Sequence, residues 1–264
     1  HQCQELGLHQ RKSKSSSASP AKAFITNAEK GMKTAAIILT RNLPDVAESL
    51  REQILSAEAE IVDVFIVESG TDPDKLSPNY NFYADWPDAV NYGLRYPNGM
   101  NYGIHSILQL YPDVYDSFLL LANDTIIESS NPIAKLRADL FKTPRCGLVS
   151  PCGADWGETH LLNDGPKAFW HIHNNCYFIS RKLVNCINYD PTTYHNTLFD
   201  SSNFRGYLSE TELIAKSYLN GFQAVITPNV LIREDESLLK ERFSLIKTDP
   251  QSVNYKLYIE EGLE

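Results

Sequence analysis

The segment from residue 35 to residue 70 limits the fold more than any other part of the chain. AAIILT, at 35–40, is a short apolar run with β-branched side chains, ended by the polar RNLPD, and reads as a buried strand. PDVAESLREQILSAE then spaces Val46, Leu50, Ile54 and Leu55 as a helix does, behind a Pro44-Asp45 start. IVDVFIVESG follows as a second strand. Strand, helix and strand within about 35 residues make a βαβ unit, which requires a parallel sheet and a right-handed crossover. NYGIHSILQLY supplies a further helix, and the strand FLLLA comes directly after it. The expected fold is therefore α/β, a single domain with a mostly parallel, Rossmann-like central sheet flanked by helices. Open sheets of this kind bind ligands at the carboxyl ends of their strands.

Each of these strands ends in polar groups. Thr40-Arg41-Asn42 follows the first, Glu68-Ser69-Gly70-Thr71-Asp72 ends the second, and Asn123-Asp124-Thr125 follows FLLLA. Any one cluster is an ordinary turn, because Asn, Asp, Ser and Gly are turn formers. Their coincidence at one edge of a parallel sheet points to a binding crevice.

Composition narrows the ligand. The chain has 264 residues, 42% of them hydrophobic, and a formal net charge of −9. That charge argues against nucleic acid, whose backbone is bound by neutralising Lys and Arg. A local site for a small phosphorylated ligand remains compatible with it. The five cysteines show no C-x-x-C spacing, which fits reduced thiols and a cytoplasmic location better than a zinc knuckle or disulfide framework. No apolar run reaches the roughly 20 residues that span a bilayer, so no transmembrane segment is expected; a peripheral membrane association stays open. Residues 1–31 are polar and Ser/Lys-rich and read as a disordered leader or an appended extension, with the catalytic domain expected over 32–264.

VESGTD, YPNGMNYGIHSIL, FLLLANDT and FRGYLSETELIAKSYLNGFQAVITPNVLI, in that order, resemble the motif series of inverting, nucleotide-sugar-dependent glycosyltransferases of the A-type fold, in the rhamnosyltransferase-like branch of family 2. The resemblance implies transfer of a sugar from a nucleotide-diphosphate sugar to a hydroxyl of a glycan or polysaccharide acceptor, with inversion. The alternative is a non-catalytic nucleotide-sugar or glycan-binding domain on the same fold. A dinucleotide G-x-G-x-x-G and a P-loop are both absent. A sugar nucleotidyltransferase would need a Gly-rich phosphate loop after the first strand, and ILTRNLPD has no glycine.

By that resemblance, Asp124 holds a divalent cation, Mg²⁺ or Mn²⁺, and through it the donor diphosphate. Such ions often take only one or two carboxylates, with phosphate oxygens and water completing the shell. Asn123 stands where a second carboxylate often does, and is placed on the donor side. Glu68 matches the acid that accepts from the nucleoside, with Thr40 and Asn42 flanking it. Asn101 matches the family N-x-G, and reads equally as a helix N-cap. The region that often supplies a metal-binding His carries Arg233, Glu234 and Asp235 instead, so Arg233 is expected to offset phosphate charge directly. Glu210 aligns with the general base that takes the acceptor hydroxyl's proton. Glu212 aligns with the second carboxylate on the acceptor side, or completes a capping box with Ser209 as N-cap.

Other side chains are weighed on chemistry alone. His171 and His173 alternate on an expected strand, with Asn175 continuing the row, and lack a nearby third zinc ligand. They are expected to line the acceptor side. Tyr80, Phe82, Tyr83, Trp86 and Trp156 could stack on sugar rings, although packing is the commoner fate of such aromatics.

Overall fold

The computed structural model of the chain describes residues 33–153, 165–169, 176–203, 206, 208–235 and 237–238. The expected leader at 1–31, together with Trp156, His171, His173 and Asn175, lies outside the described residues.

The βαβ unit is present as β1 (Lys33–Thr40), α1 (Pro44–Glu58) and β2 (Val62–Ser69). β1 and β2 pair in parallel from Thr34–Val62 through Thr40–Glu68, so Thr40 and Glu68 sit side by side at the carboxyl edge. The chain continues through β3 (Tyr80–Ala84), α2 (Pro87–Tyr92), α3 (Arg95–Leu110), β4 (Tyr115–Ala122), β5 (Thr125–Ile127) and α4 (Pro132–Lys142). It ends with β6 (Cys146–Gly153), β7 (Lys167–Ala168), β8 (Cys176–Ser180), α5 (Arg181–Ile187), α6 (Ser209–Leu219) and β9 (Gln223–Glu234). Among the described residues, one sheet takes every strand in the order β3-β2-β1-β4-β8-β6-β9-β5, with β7 beside β9.

The apolar runs explain why helices cover both faces. Alternate residues of one strand enter opposite layers, as a period of two requires. Ala35, Ile37, Phe118 and Leu120 pack with Met100, Ile104 and Ile107 of α3, Leu183 of α5 and Leu213 of α6. Ala36, Ile38, Leu119 and Leu121 pack instead with Leu50 and Ile54 of α1 and with Ile133, Leu136 and Leu140 of α4. A strand apolar on both sides can only be interior to such a sandwich.

α3 begins six residues before the expected NYGIHSILQLY, at Arg95. Pro97 falls in its first turn, where the N–H that proline lacks would have no intrahelical partner. Gly99 and Gly103 then lie against β1. A Cβ at Gly99 would meet the Leu39 side chain at 2.4 Å, and one at Gly103 would meet Ile37 Cγ2 at 2.9 Å. The residues that obscured the helix in the sequence are thus those that let it settle onto the sheet.

β8 is inserted out of chain order. It follows β6 in the chain but lies between β4 and β6, antiparallel to both. β4, β6 and β9 therefore run the same way, and their carboxyl ends share the edge reached by β1 and β2. The aromatic cluster serves packing: Phe82 stacks on Phe65 at 5.9 Å, and Trp86 meets Tyr102 at 5.4 Å. Cys146, Cys152 and Cys176 are buried free thiols, and burial pushes Cys146 up to about 12. No helix among the described residues is long and apolar enough to cross a membrane.

Candidate active site

Asn123 and Asp124 form the turn at which the chain leaves β4. β5 does not fold back on β4; it pairs antiparallel with the far end of β9, Thr125 opposite Glu234. The turn therefore carries the backbone along the carboxyl edge of the sheet. Its two side chains face different tasks. Asn123 Nδ2 donates to Thr40 Oγ1 at 3.0 Å, joining the ends of β4 and β1. Asp124 is 6% exposed, and its backbone carbonyl accepts from Asp235 N at 2.8 Å.

The loop after β2 is shaped by Glu68. Its side chain is fully buried, with Oε2 accepting from Thr71 Oγ1 at 2.5 Å and Oε1 from Ser77 N at 2.8 Å. Burial raises the carboxyl's pKa, and the bonds from Ser77 and Thr71 oppose that rise. Glu68 thus corrects the expectation of a nucleoside contact: both oxygens face the protein, and the group fixes the loop that borders the cleft. Asn42, held at φ 57, clamps the same loop from the other side. Its Oδ1 accepts from Asp72 N at 2.8 Å and its Nδ2 donates to Asp72 Oδ2 at 3.1 Å.

Asn101 is corrected in a similar way. It lies inside α3, fully buried, so it is not an N-cap. Its amide nitrogen donates to Phe199 O at 2.8 Å, while Oδ1 accepts from Leu198 N at 2.8 Å and Phe199 N at 3.0 Å. The residue ties α3 to the loop leading towards α6.

The capping box is absent. α6 is preceded by Leu208 in the left-handed region (φ 55), Ser209 is the first helical residue, and no side chain caps the end. Glu212 instead accepts from Asp200 N at 2.8 Å and pairs with Lys216 at 2.5 Å; Lys216 also donates to Leu198 O at 2.8 Å. Glu212 and Lys216 together hold the 198–200 backbone. Glu210, two residues earlier in the first turn of α6, has no hydrogen bond or ion pair with a described residue.

Its surroundings follow from Tyr96, in the first turn of α3. The charges of Glu210 and Asp124 both reach the Tyr96 phenol, which burial first and Tyr177, Cys176 and these carboxylates after it push well above its usual range. A Cβ on Gly206 would meet Pro97 at 2.8 Å, so the segment entering α6 rests on that same turn. The end of β4, the start of α6 and the start of α3 converge. No sequence signal marked Tyr96, because only the topology brings the three elements together.

Arg233 lies on β9 opposite Ile126, and its Nε donates to Glu128 at 2.8 Å, both groups being about half exposed. Glu128 thus ties Arg233 to the exit of the neighbouring strand. Among the described residues, no group of three or more His, Cys, Asp or Glu is placed to hold a metal without help. A single carboxylate at Asp124 suits Mg²⁺ or Mn²⁺ when phosphate oxygens and water fill the remaining positions.

No known family profile matches the chain, and no curated protein matches it. Among solved structures, it is similar to a mannosyltransferase from Pyrobaculum calidifontis in complex with GDP-Man and Mn²⁺, at 13% identity and TM-score 0.47, over 77% of this chain and 56% of that one. The chain thus spans just over half the length of that protein. It is also similar to mannosyl-3-phosphoglycerate synthase from Rubrobacter xylanophilus, at 12% identity and TM-score 0.49, over 82% and 72% of the two chains. A further likeness is to glucosyl-3-phosphoglycerate synthase from Mycobacterium tuberculosis, at 14% identity and TM-score 0.47, over 84% and 82%.

Proposed function

We propose that the protein is a nucleotide-sugar-dependent glycosyltransferase of the A-type fold that transfers with inversion. The observation that supports this reading is the placement of Asp124 just past the end of the central parallel strand β4 and of Glu210 in the first turn of α6, whose entering segment rests on the first turn of α3. A donor-side carboxylate and a separate basic carboxylate in one crevice are what direct displacement at an anomeric carbon requires.

In this reading Glu210 accepts the proton of an acceptor hydroxyl as its oxygen bonds to the anomeric carbon. The bond from that carbon to the diphosphate breaks, and the nucleoside diphosphate leaves with the electron pair. A divalent ion held at Asp124 would neutralise charge developing on the leaving oxygens. Thr40 and Asn123 fix the turn that carries Asp124, and Asn42 with Glu68 fixes the loop along which the nucleoside would lie. His171 and His173 are assigned to the acceptor side by their place in the sequence, beyond which Glu212 supports the backbone.

The alternative, a binding domain without turnover, draws on the amide at Asn123, which bonds Thr40 where a second carboxylate would bind metal. Incubating the purified protein with UDP-glucose, GDP-mannose and related donors plus MnCl₂ separates the two. Release of nucleoside diphosphate supports the transferase, and saturable binding with no release supports the alternative.

A further inference from the structure

Tyr96 lies in the first turn of α3, on which the segment entering α6 rests, and its hydroxyl is idle among the described residues. The ring is held edge-on between Tyr177, at 6.4 Å, and Phe199, at 5.9 Å. Its oxygen is closed to solvent and has no hydrogen-bond partner among the described residues. Buried hydroxyls are rarely left so, because desolvation without a compensating bond is unfavourable. Directly after Asp124, the buried Thr125 hydroxyl is likewise without a partner. Two buried hydroxyls, one in the first turn of α3 and one at the residue after Asp124, are thus without a partner among the described residues.

The orientation of the phenol is fixed by packing, not by a bond. Phe199 is itself held by Asn101, and Tyr177 belongs to β8, so the ring has rigid neighbours on both sides. A fixed phenol with no partner among the described residues is a donor waiting for an oxygen atom.

We infer that Tyr96 donates a hydrogen bond to an oxygen of the bound sugar nucleotide, on either the transferred sugar or the phosphate to which it is attached. The inference rests on the nucleotide-sugar reading of the site, and it makes the first turn of α3 part of the donor contact.

Tyr96→Phe removes one oxygen and keeps the ring, which makes it the proper test. The melting temperature of the free variant should equal or exceed that of the wild type, since an unsatisfied buried group has been removed. A lower melting temperature would show that the hydroxyl bonds within the protein and would overturn the inference. By calorimetry with MnCl₂, whichever of UDP-glucose or GDP-mannose the wild type binds should bind the variant about tenfold more weakly. Loss for the sugar nucleotide alone places the bond on the sugar, and equal loss for UDP or GDP places it on phosphate. Unchanged affinity overturns the inference while leaving the transferase reading intact. If the wild type binds no nucleotide or sugar nucleotide, the transferase reading fails first, and the donor role of Tyr96 falls with it.

Discussion

Asn101 holds both backbone groups of Phe199, donating to its carbonyl at 2.8 Å and accepting from its N–H at 3.0 Å. The same oxygen takes Leu198 N–H at 2.8 Å. A single amide thus anchors the loop between α5 and α6 onto α3. Asn101→Ala strands three buried backbone groups and should cost about 3 kcal/mol by urea denaturation. Amide exchange at residues 198 and 199 should accelerate in parallel. A loss below about 1 kcal/mol would mean that water replaces the amide.

Glu210 and Glu212 should give opposite phenotypes. Glu210→Gln is expected to lower turnover about 10²- to 10⁴-fold with nucleotide affinity nearly unchanged. Glu212→Gln weakens the hold on Asp200 and Lys216 and should cost on the order of 1 kcal/mol, with turnover changed only a few-fold. Steady-state kinetics beside thermal melts read both effects. If the phenotypes exchange, the base is Glu212.

Asp124→Asn keeps the backbone carbonyl that accepts from Asp235, so the fold should persist. Nucleotide binding measured with and without MnCl₂ should lose its metal-dependent part in the variant. Equal metal enhancement in both proteins would remove Asp124 from the metal's shell.

His105, on α3, is held below its ordinary pKa of 6.5, chiefly by burial and against the pull of Asp190. Its neutral form is favoured on folding, so the unfolded chain binds more protons between the two pKa values. Stability from this group is therefore present above pH 6.5 and lost as pH falls through the lower folded value. Chemical denaturation from pH 7.5 downwards should show a steeper decline for wild type than for His105→Gln. Parallel declines would assign the acid sensitivity to other groups.

The parallel half of the sheet was legible because β1, β2 and β4 are apolar on both faces, and α1 because Pro44 and Asp45 mark its start. α3's beginning was hidden, since Pro97 and Gly99 look like a turn until β1 lies beneath them. The place of Asp124 could be read from a strand end, a local property. The engagements of Glu68 and Asn101 could not, because a polar side chain that braces its own loop and one that meets a ligand have the same local pattern. The capping alternative for Glu212 fails because Leu208, in a left-handed conformation, takes the place before the helix that Ser209 would have filled. Tyr96 had no local pattern at all.

The late position of β8 has a consequence for synthesis of the chain. Its five residues are the seam that joins the β3-β2-β1-β4 side of the sheet to the β6-β9-β5 side. While a nascent chain emerges, β4 and β6 are complete first and cannot become neighbours without leaving a strand's width between them. Until β8 enters that slot, both carry unsatisfied edges and exposed apolar faces, the condition in which growing chains associate wrongly. Closure of the slot also brings Tyr177 against Tyr96, so the crevice acquires its wall only when the two half-sheets become one.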